Sequence, residues 1–211
     1  MAHLVLLGDS IFDNAAYTRG GPDVISQVRK ALPPGWTGSL LAVDGATTVD
    51  VLDQVQRLPI GATHLVLSVG GNDALMQESV LDVSASSIAE ALGYFAEVVS
   101  GFEKNFRSAV EACLRPGLPL TVCTIYNGCM PDPQYQRVVT TALAVFNDAI
   151  LRVAMEHALP VIDLRAICIN PADYANPIEP SSVGGDKIAR AIAGLVTGSK
   201  PSFGATRIFI G

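Results

Sequence analysis

Three short stretches of the sequence combine glycine with groups that could take part in acyl transfer. Ser10 follows a glycine and an aspartate, Gly45 follows an aspartate, and Asn72 follows a pair of glycines. A serine hydroxyl can act as a nucleophile when a base and an oxyanion site meet it in space. An unshielded glycine N–H and an asparagine amide can hold the negative oxygen of a tetrahedral acyl intermediate. Each stretch alone is equally typical of an ordinary turn, but the three together predict an acyl-transfer site.

Each of these stretches directly follows an apolar run that is typical of a buried strand. The runs cover residues 3–7, 40–43 and 65–69, and strands buried on both faces of a parallel sheet have this composition. In open α/β sheets, ligands bind at the carboxyl ends of the strands. We therefore expect the three stretches to lie together on one rim of a sheet.

The rest of the chain alternates between predicted strands and predicted helices. Further strands are predicted at residues 119–124 and 161–164. Amphipathic helices are predicted at residues 22–32, from about 48, at 88–114, at 134–157 and after 183. This alternation implies βαβ units, and the predicted fold class is α/β: a three-layer α/β/α sandwich around a five-stranded parallel sheet.

The longest predicted helix carries an apolar stripe, which we expect to face the sheet. The stripe consists of Leu92, Phe95, Val99, Phe102, Phe106 and Ala109. No linker divides the chain, so residues 1–197 are predicted to form a single domain, followed by a C-terminal tail at 198–211.

In content and in order, these stretches resemble the SGNH, or GDSL-type, hydrolases, a family of lipases and acylhydrolases. The resemblance rests on the blocks around Ser10, Gly45 and Asn72, and it extends to residues 161–164 and 178–189. It implies a flavodoxin-like SGNH hydrolase fold and a serine that attacks a carboxylic ester without a cofactor. It also implies an oxyanion hole formed by the N–H of Ser10, the N–H of Gly45 and the side-chain amide of Asn72.

The last block departs from the pattern of that family. The family has Asp-x-x-His-Pro there, whereas residues 176–180 read Asn-Pro-Ile-Glu-Pro. The expected acid is therefore the amide Asn176, and the expected histidine is the carboxylate Glu179. The histidines of the chain are predicted at the opposite side from the site, at His3, His64 and His157. A Ser-His-Asp triad is not predicted.

Glu179 is the candidate general base in place of histidine. An ordinary glutamate, with a pKa of about 4.3, is too weak a base at neutral pH. Burial against apolar neighbours can raise that pKa to roughly 6–7, the useful range for general base catalysis. Asn176 is expected to orient the carboxylate by a hydrogen bond, and Asp173 in the same loop is a candidate auxiliary acid.

Two other interpretations stay open. Glu179 could be a solvated loop residue in a site without turnover, which would make the protein a pseudo-hydrolase that binds an acylated or carbohydrate ligand in the same cleft. Alternatively, the apolar ending of residues 198–211 could dock a partner or join subunits into a homo-oligomer, although packing on its own domain explains that ending as well.

Composition excludes several classes of function. Hydrophobic residues make up 49% of the chain and charged residues 16%, which is typical of a compact globular protein. The net charge of -6, without a cluster of Lys or Arg, argues against a nucleic-acid partner. No ligand spacing for a metal and no nucleotide-binding glycine motif is present, so neither a metal nor a cofactor is expected. The expected partner is a small-molecule ester.

Location is predicted from what the sequence lacks. No apolar run approaches the roughly 18 residues that a membrane span needs, and no secretory signal is visible. The four cysteines have neither CxxC spacing nor a compact disulfide framework, so reduced thiols are expected. The sequence therefore predicts a cytoplasmic protein without a membrane span.

Overall fold

The structure, a computed structural model, describes residues 1–198. Its strands are β1 (Ala2–Gly8), β2 (Trp36–Leu40), β3 (His64–Ser68), β4 (Leu120–Cys123) and β5 (Val161–Ile162). They form one parallel sheet with the order β2-β1-β3-β4-β5. The predicted five-stranded parallel sheet is confirmed.

Seven α-helices are present in the described part of the chain. They are α1 (Val24–Ala31), α2 (Val51–Gln56), α3 (Gly71–Leu75), α4 (Ile88–Leu114), α5 (Pro133–Glu156), α6 (Leu164–Ile167) and α7 (Ser182–Val196). Short 3₁₀ helices lie at Ala15–Tyr17, Glu78–Asp82 and Pro171–Asp173. Side chains that accept backbone N–H groups begin the longer helices, for example Ser87 before α4 and Ser181 before α7.

Two apolar cores lie on opposite faces of the sheet, because successive side chains of a strand point to opposite sides. On one face Val5 and Leu7 of β1 pack with α4 and α5, and on the other Leu4 and Leu6 pack with α1 and α7. The sheet is therefore the middle layer of an α/β/α sandwich, as predicted.

The predicted position of the second strand is wrong. The strand runs over Trp36–Leu40 and pairs with β1 from Ala2 to Leu6, whereas the apolar residues 41–43 follow it. β2 is an edge strand whose residues are exposed or only partly buried. Its middle is accordingly the polar stretch 37–39, and the apolar signal falls on residues 41–43, of which Ala42 is buried and Val43 is exposed.

The predicted stripe of α4 is correct in its second half and wrong at its start. Val99, Phe102, Phe106 and Ala109 are buried, but Leu92 is 60% exposed. The first turns of α4 flank a cavity beside the sheet instead of covering the strands, as the position of Phe95 in the cavity wall shows.

One helix of the described residues, α5, is long and apolar enough to cross a membrane by length and composition. The core helix of a folded domain passes the same test, so this is weak support for a span. Phe146, Ile150 and Val153 of α5 are buried against the sheet and α4. Polar residues interrupt the apolar runs of α5, so its sequence holds no continuous apolar run of the length of a membrane span.

The predicted tail at 198–211 lies outside the described residues, apart from Gly198. The predicted irregular stretch 165–183 contains the short helix α6 and the 3₁₀ turn Pro171–Asp173. All four cysteines carry free thiols.

Candidate active site

The turn that carries Ser10 requires glycine at its first position. Gly8 has a φ of +123°, and a Cβ built there would lie 1.7 Å from the carbonyl oxygen of Ser68. That same oxygen accepts a hydrogen bond from the N–H of Asp9 at 3.1 Å. β1 and β3 therefore approach too closely for any side chain at this point, and the chain turns sharply to place Ser10 at the carboxyl edge.

A buried glutamine fixes the end of β1. The side-chain oxygen of Gln54 accepts the N–H of Gly8 at 2.7 Å, and its amide nitrogen donates to the Gly8 carbonyl at 2.8 Å. Gln54 is 1% exposed, so these bonds do not compete with water. Sequence reasoning missed this residue, although a glutamine on the inward side of a short apolar helix is a signal that a buried backbone group needs a partner.

The proposed oxyanion donors differ in how they reach the site. Among residues 1–198, neither the N–H of Ser10 nor that of Gly45 makes a hydrogen bond. Gly45 has a φ of +81° and lies exposed in a turn outside the cavity wall. Asn72 lines the cavity beside Ser10, and its amide nitrogen donates to the carbonyl of Ala46 at 2.9 Å. This bond joins the turn of Gly45 to that of Asn72, and a second amide hydrogen of Asn72 remains for a ligand.

Ser10 and Glu179 are in direct contact. The Oγ of Ser10 donates a hydrogen bond of 3.1 Å to Oε1 of Glu179. Glu179 is 6% exposed, and its second oxygen, Oε2, is buried without a hydrogen-bond partner among the described residues. The interpretation of Glu179 as a solvated loop residue is therefore wrong, and the pair has the geometry of a nucleophile and its base.

Burial makes the Glu179 carboxylate more basic. It raises the pKa of Glu179 to about 7, with a smaller raising effect from the negative charge of Asp44 and a lowering one from the Ser10 hydrogen bond. The pKa of Asp9 is likewise raised to about 7, mainly by burial, and further by the charges of Glu179 and Asp73, whereas the N–H of Ile11 lowers it. The carboxyl groups of Asp9 and Glu179 therefore both titrate near neutral pH.

The loop of Glu179 is held by three of its backbone carbonyls, which accept hydrogen bonds on both sides of the glutamate. The hydroxyl of Tyr126 donates to the carbonyl of Ile178 at 2.6 Å. The N–H of Cys129 donates to the carbonyl of Pro177 at 2.8 Å, and the Asn14 amide donates to the carbonyl of Pro180 at 3.1 Å. These contacts come from two distant loops and fix the glutamate against Ser10.

Asn176 positions Glu179 in a different way from the one predicted. Its side-chain oxygen accepts the N–H groups of Ile178 and Glu179, each at 2.9 Å. Asn176 therefore fixes the backbone of the loop, not the carboxylate itself. This is an Asx turn, which an asparagine two residues before a backbone N–H often forms.

The other predicted groups lie away from Ser10. Asp173 is fully buried, where it pairs with Lys187 at 2.7 Å and accepts the N–H groups of Ile169 and Asn170. Asp173 does not line the cavity, so the prediction of an auxiliary acid is wrong. Its carboxylate instead forms an ion pair with Lys187 and caps the 3₁₀ helix Pro171–Asp173.

The three histidines occupy the amino edge of the sheet or the end of a helix that leads to it. His3 is the second residue of β1, His64 is the first residue of β3, and His157 caps the end of α5. Ser10 lies beyond the opposite, carboxyl end of β1. Within the described residues, no group of three or more His, Cys, Asp and Glu could hold a metal ion.

A cavity of about 210 Å³ opens beside Ser10, Asn72 and Glu179. Its walls come from the segment 74–81, from Phe95 of α4 and from the first half of α5. Apart from the groups near Ser10 and from Gln77, Glu78, Asn127 and Tyr135, these walls are apolar, and Tyr135 donates a hydrogen bond to Glu78. The arrangement suits a substrate with one polar reacting group and an apolar extension.

Comparisons with known proteins show the family and the fold. Residues 6–184 match the GDSL-like lipase/acylhydrolase family. No curated protein sequence matches the chain.

Several solved structures share the fold. An extracellular lipase from Streptomyces rimosus has a TM-score of 0.65 at 16% identity, covering 95% of this chain and 100% of that one. A phospholipase A1 from Streptomyces albidoflavus has a TM-score of 0.65 at 16% identity, covering 94% and 99%. A carbohydrate acetylesterase from Sinorhizobium meliloti has a TM-score of 0.62 at 15% identity, covering 94% and 99%. At such identities the likeness shows a common fold.

Proposed function

The chain belongs to the GDSL-like lipase/acylhydrolase family, whose activity is ester hydrolysis, and we propose that it is a serine esterase with a Ser10–Glu179 dyad. One observation carries the proposal: the hydrogen bond of 3.1 Å from Ser10 Oγ to a buried Glu179. It supplies a nucleophile and a proton acceptor at the same point of the cavity.

Acylation begins when Ser10 Oγ attacks the carbonyl carbon of the ester. Its proton passes to Oε1 of Glu179, and negative charge moves to the former carbonyl oxygen. The free N–H groups of Ser10 and Gly45 and the remaining amide hydrogen of Asn72 are the donors for that oxygen. The tetrahedral intermediate then collapses, Glu179 returns the proton to the leaving alcohol, and an ester of Ser10 remains.

Deacylation repeats these steps with water. A water molecule takes the place of the alcohol and gives a proton to Glu179 as it attacks the acyl-enzyme. The intermediate collapses, Ser10 Oγ takes the proton back, and the carboxylic acid leaves.

Glutamate can do the work of histidine here because of its surroundings. General base catalysis is most effective when the pKa of the base lies near the working pH. Burial brings the pKa of Glu179 to about 7, close to that of an ordinary histidine. Asn176, Tyr126 and Asn14 hold its loop in place, as an orienting acid would hold an imidazole.

The test compares the wild type with Ser10→Ala and Glu179→Gln on nitrophenyl butyrate, with a fluorophosphonate probe as a second measurement. We expect the wild type to hydrolyse the ester and to react with the probe, and Ser10→Ala to do neither. For Glu179→Gln we expect a loss of about 10²–10⁴-fold in kcat. Full activity of Ser10→Ala would refute the nucleophile, and full activity of Glu179→Gln would refute the dyad.

The alternative is a pseudo-hydrolase that binds an acylated ligand without turnover, and the replacement of the family's histidine by Glu179 favours it. It predicts that the wild type neither hydrolyses esters nor reacts with the fluorophosphonate. Restoration of hydrolysis by Glu179→His in an otherwise inactive chain would support this alternative.

A further inference from the structure

Two hollows lie on either side of one aromatic ring. The cavity beside Ser10 reaches Phe95, and so does a second, outer groove of about 550 Å³ between α4 and α5. Leu92 and Ala96 line only the outer groove, whereas Leu143 lines only the cavity. Phe95 is therefore part of the wall between them.

The cavity combines reacting groups with apolar walls. Ser10 and Glu179 line it together with aliphatic and aromatic side chains such as Val139, Leu143 and Phe146, and Phe95 belongs to the same wall. Apolar surface of this kind gains free energy by burying hydrocarbon. An acyl chain attached to the reacting carbonyl is the part of an ester that would lie there.

The size of the cavity limits the length of that chain. An apolar cavity of about 150 Å³ is known to hold benzene, which has 6 carbon atoms. By proportion, the cavity of about 210 Å³ holds a chain of about 8 carbons. Resting on the esterase function proposed above, we propose that Phe95 closes the far end of an acyl-binding cavity and sets the preference for medium-length acyl chains.

Removal of the ring would open a path into the outer groove. Beyond Phe95 that groove continues with the apolar side chains of Leu92, Val99 and Val145, before the charged groups of Glu103 and Arg152. A chain longer than the cavity would find apolar contacts there. Phe95 is partly exposed, and the core of α4 begins with Val99, so a smaller residue at this position leaves the fold intact.

The test measures kcat/KM on nitrophenyl esters from acetyl to hexadecanoyl for the wild type and three variants. We expect a wild-type maximum near octanoyl. Phe95→Ala should raise the ratio of dodecanoyl to octanoyl activity by about tenfold or more, since each methylene contributes about tenfold or more in an apolar pocket. Leu143→Phe should shift the maximum to shorter chains. Leu92→Ala is the matched control, because it lines the outer groove alone, and its profile should equal that of the wild type.

A binding measurement keeps the inference independent of turnover. Calorimetry on Ser10→Ala and on Ser10→Ala/Phe95→Ala, with octanoate and dodecanoate as the ligands, should show the preferred length rising with the second substitution. An unchanged length profile in both assays, with normal thermal melting, would overturn the role of Phe95 while leaving the esterase function untouched. If the wild type hydrolyses no ester but the binding preference shifts, the esterase function fails and the acyl cavity stands.

Discussion

The hydroxyl of Ser10 and the carboxylate of Glu179 meet at 3.1 Å across 169 residues of chain. Ser10 follows the end of β1, and Glu179 lies in a loop held by Tyr126, Cys129 and Asn14. A hydrogen bond between groups fixed from such distant segments is preorganised, which is what proton transfer from a nucleophile requires. The proposed base is a carboxylate, so its pKa depends on its burial and on the charges around it.

Activity should rise with pH through about pH 7. Glu179 accepts the Ser10 proton only when ionised, and burial raises its pKa to about 7. The pH profile of kcat/KM, which reports the free enzyme, should therefore have an acidic limb with its midpoint there. A midpoint near pH 4 would contradict the buried carboxylate as the base.

The same midpoint should move when a neighbouring charge is removed. Asp44 raises the pKa of Glu179 through its negative charge, so Asp44→Asn should shift the acidic limb to lower pH. Asp53→Asn, an exposed change in α2, is the control and should leave the midpoint unchanged.

The free energy of unfolding should fall as the pH rises towards 7, whereas the activity should rise. The folded-state pKa values of Asp9 and Glu179 are both raised to about 7, from ordinary values of 3.8 and 4.5. Between those limits the folded protein binds more protons than the unfolded chain, so the free energy of unfolding falls as the pH rises. The stabilising contribution is complete below about pH 4 and lost above about pH 7. Because burial lowers the pKa of His64, this residue opposes the trend near its ordinary pKa.

Urea unfolding at several pH values measures this effect. The wild type should lose stability from about pH 4.5 to about pH 7, and Asp9→Asn and Glu179→Gln should each reduce the slope because they remove one titrating group. A slope that is identical in the wild type and both variants would show that neither carboxyl is protonated preferentially in the folded state.

Most of the architecture follows from the sequence because buried parallel strands have continuous apolar runs. The sequence predicts that Ser10, Gly45, Asn72 and Glu179 converge, and of these Ser10, Asn72 and Glu179 line one cavity whereas Gly45 lies outside its wall. Ser10 and Asn72 share an edge because they follow the carboxyl ends of neighbouring parallel strands. The predicted bounds of the edge strand β2 are wrong because only strands covered on both faces have a continuous apolar run.

The supporting contacts could not be predicted in the same way. Tyr126 and Asn14 act on backbone carbonyls 52 and 166 residues away, and no local pattern indicates such a pairing. The cavity depends on how Phe95 of α4 and Leu143 of α5 pack across the segment 74–81, which is a property of three-dimensional packing and not of periodicity.

Tyr126→Phe should lower kcat and, to a modest extent, the melting temperature. The hydroxyl that it removes donates to the carbonyl of Ile178, next to Glu179, at 2.6 Å. Loss of one such bond is worth about 1 kcal/mol, so we expect kcat to fall up to about tenfold and the melting temperature by about 2–4 °C. Tyr94→Phe is the control, because its hydroxyl binds Glu90 on the exposed face of α4. Unchanged kcat in Tyr126→Phe would mean that this hydroxyl does not position the base.

Gln54→Leu should destabilise the whole fold, because Gln54 binds both backbone groups of Gly8 at the end of β1, between β2 and β3 in the sheet. Leucine has a similar volume but leaves the buried N–H of Gly8 without a partner, at a cost of about 1–3 kcal/mol. It also removes one of the two hydrogen bonds to the Gly8 carbonyl, worth about 1 kcal/mol, while the N–H of Val43 still donates to that carbonyl at 3.0 Å. We therefore expect the free energy of unfolding to fall by about 2–4 kcal/mol, measured by urea denaturation. The free energy of unfolding of Gln54→Glu should lie between those of the wild type and Gln54→Leu, since a carboxylate still accepts the N–H but cannot donate to the carbonyl.

Gln56→Leu, on the exposed side of the same helix, is the control and should have little effect. Equal stability of the two leucine variants would mean that water replaces the glutamine, and that Ser10 is positioned by the Gly8–Ser68 contact alone.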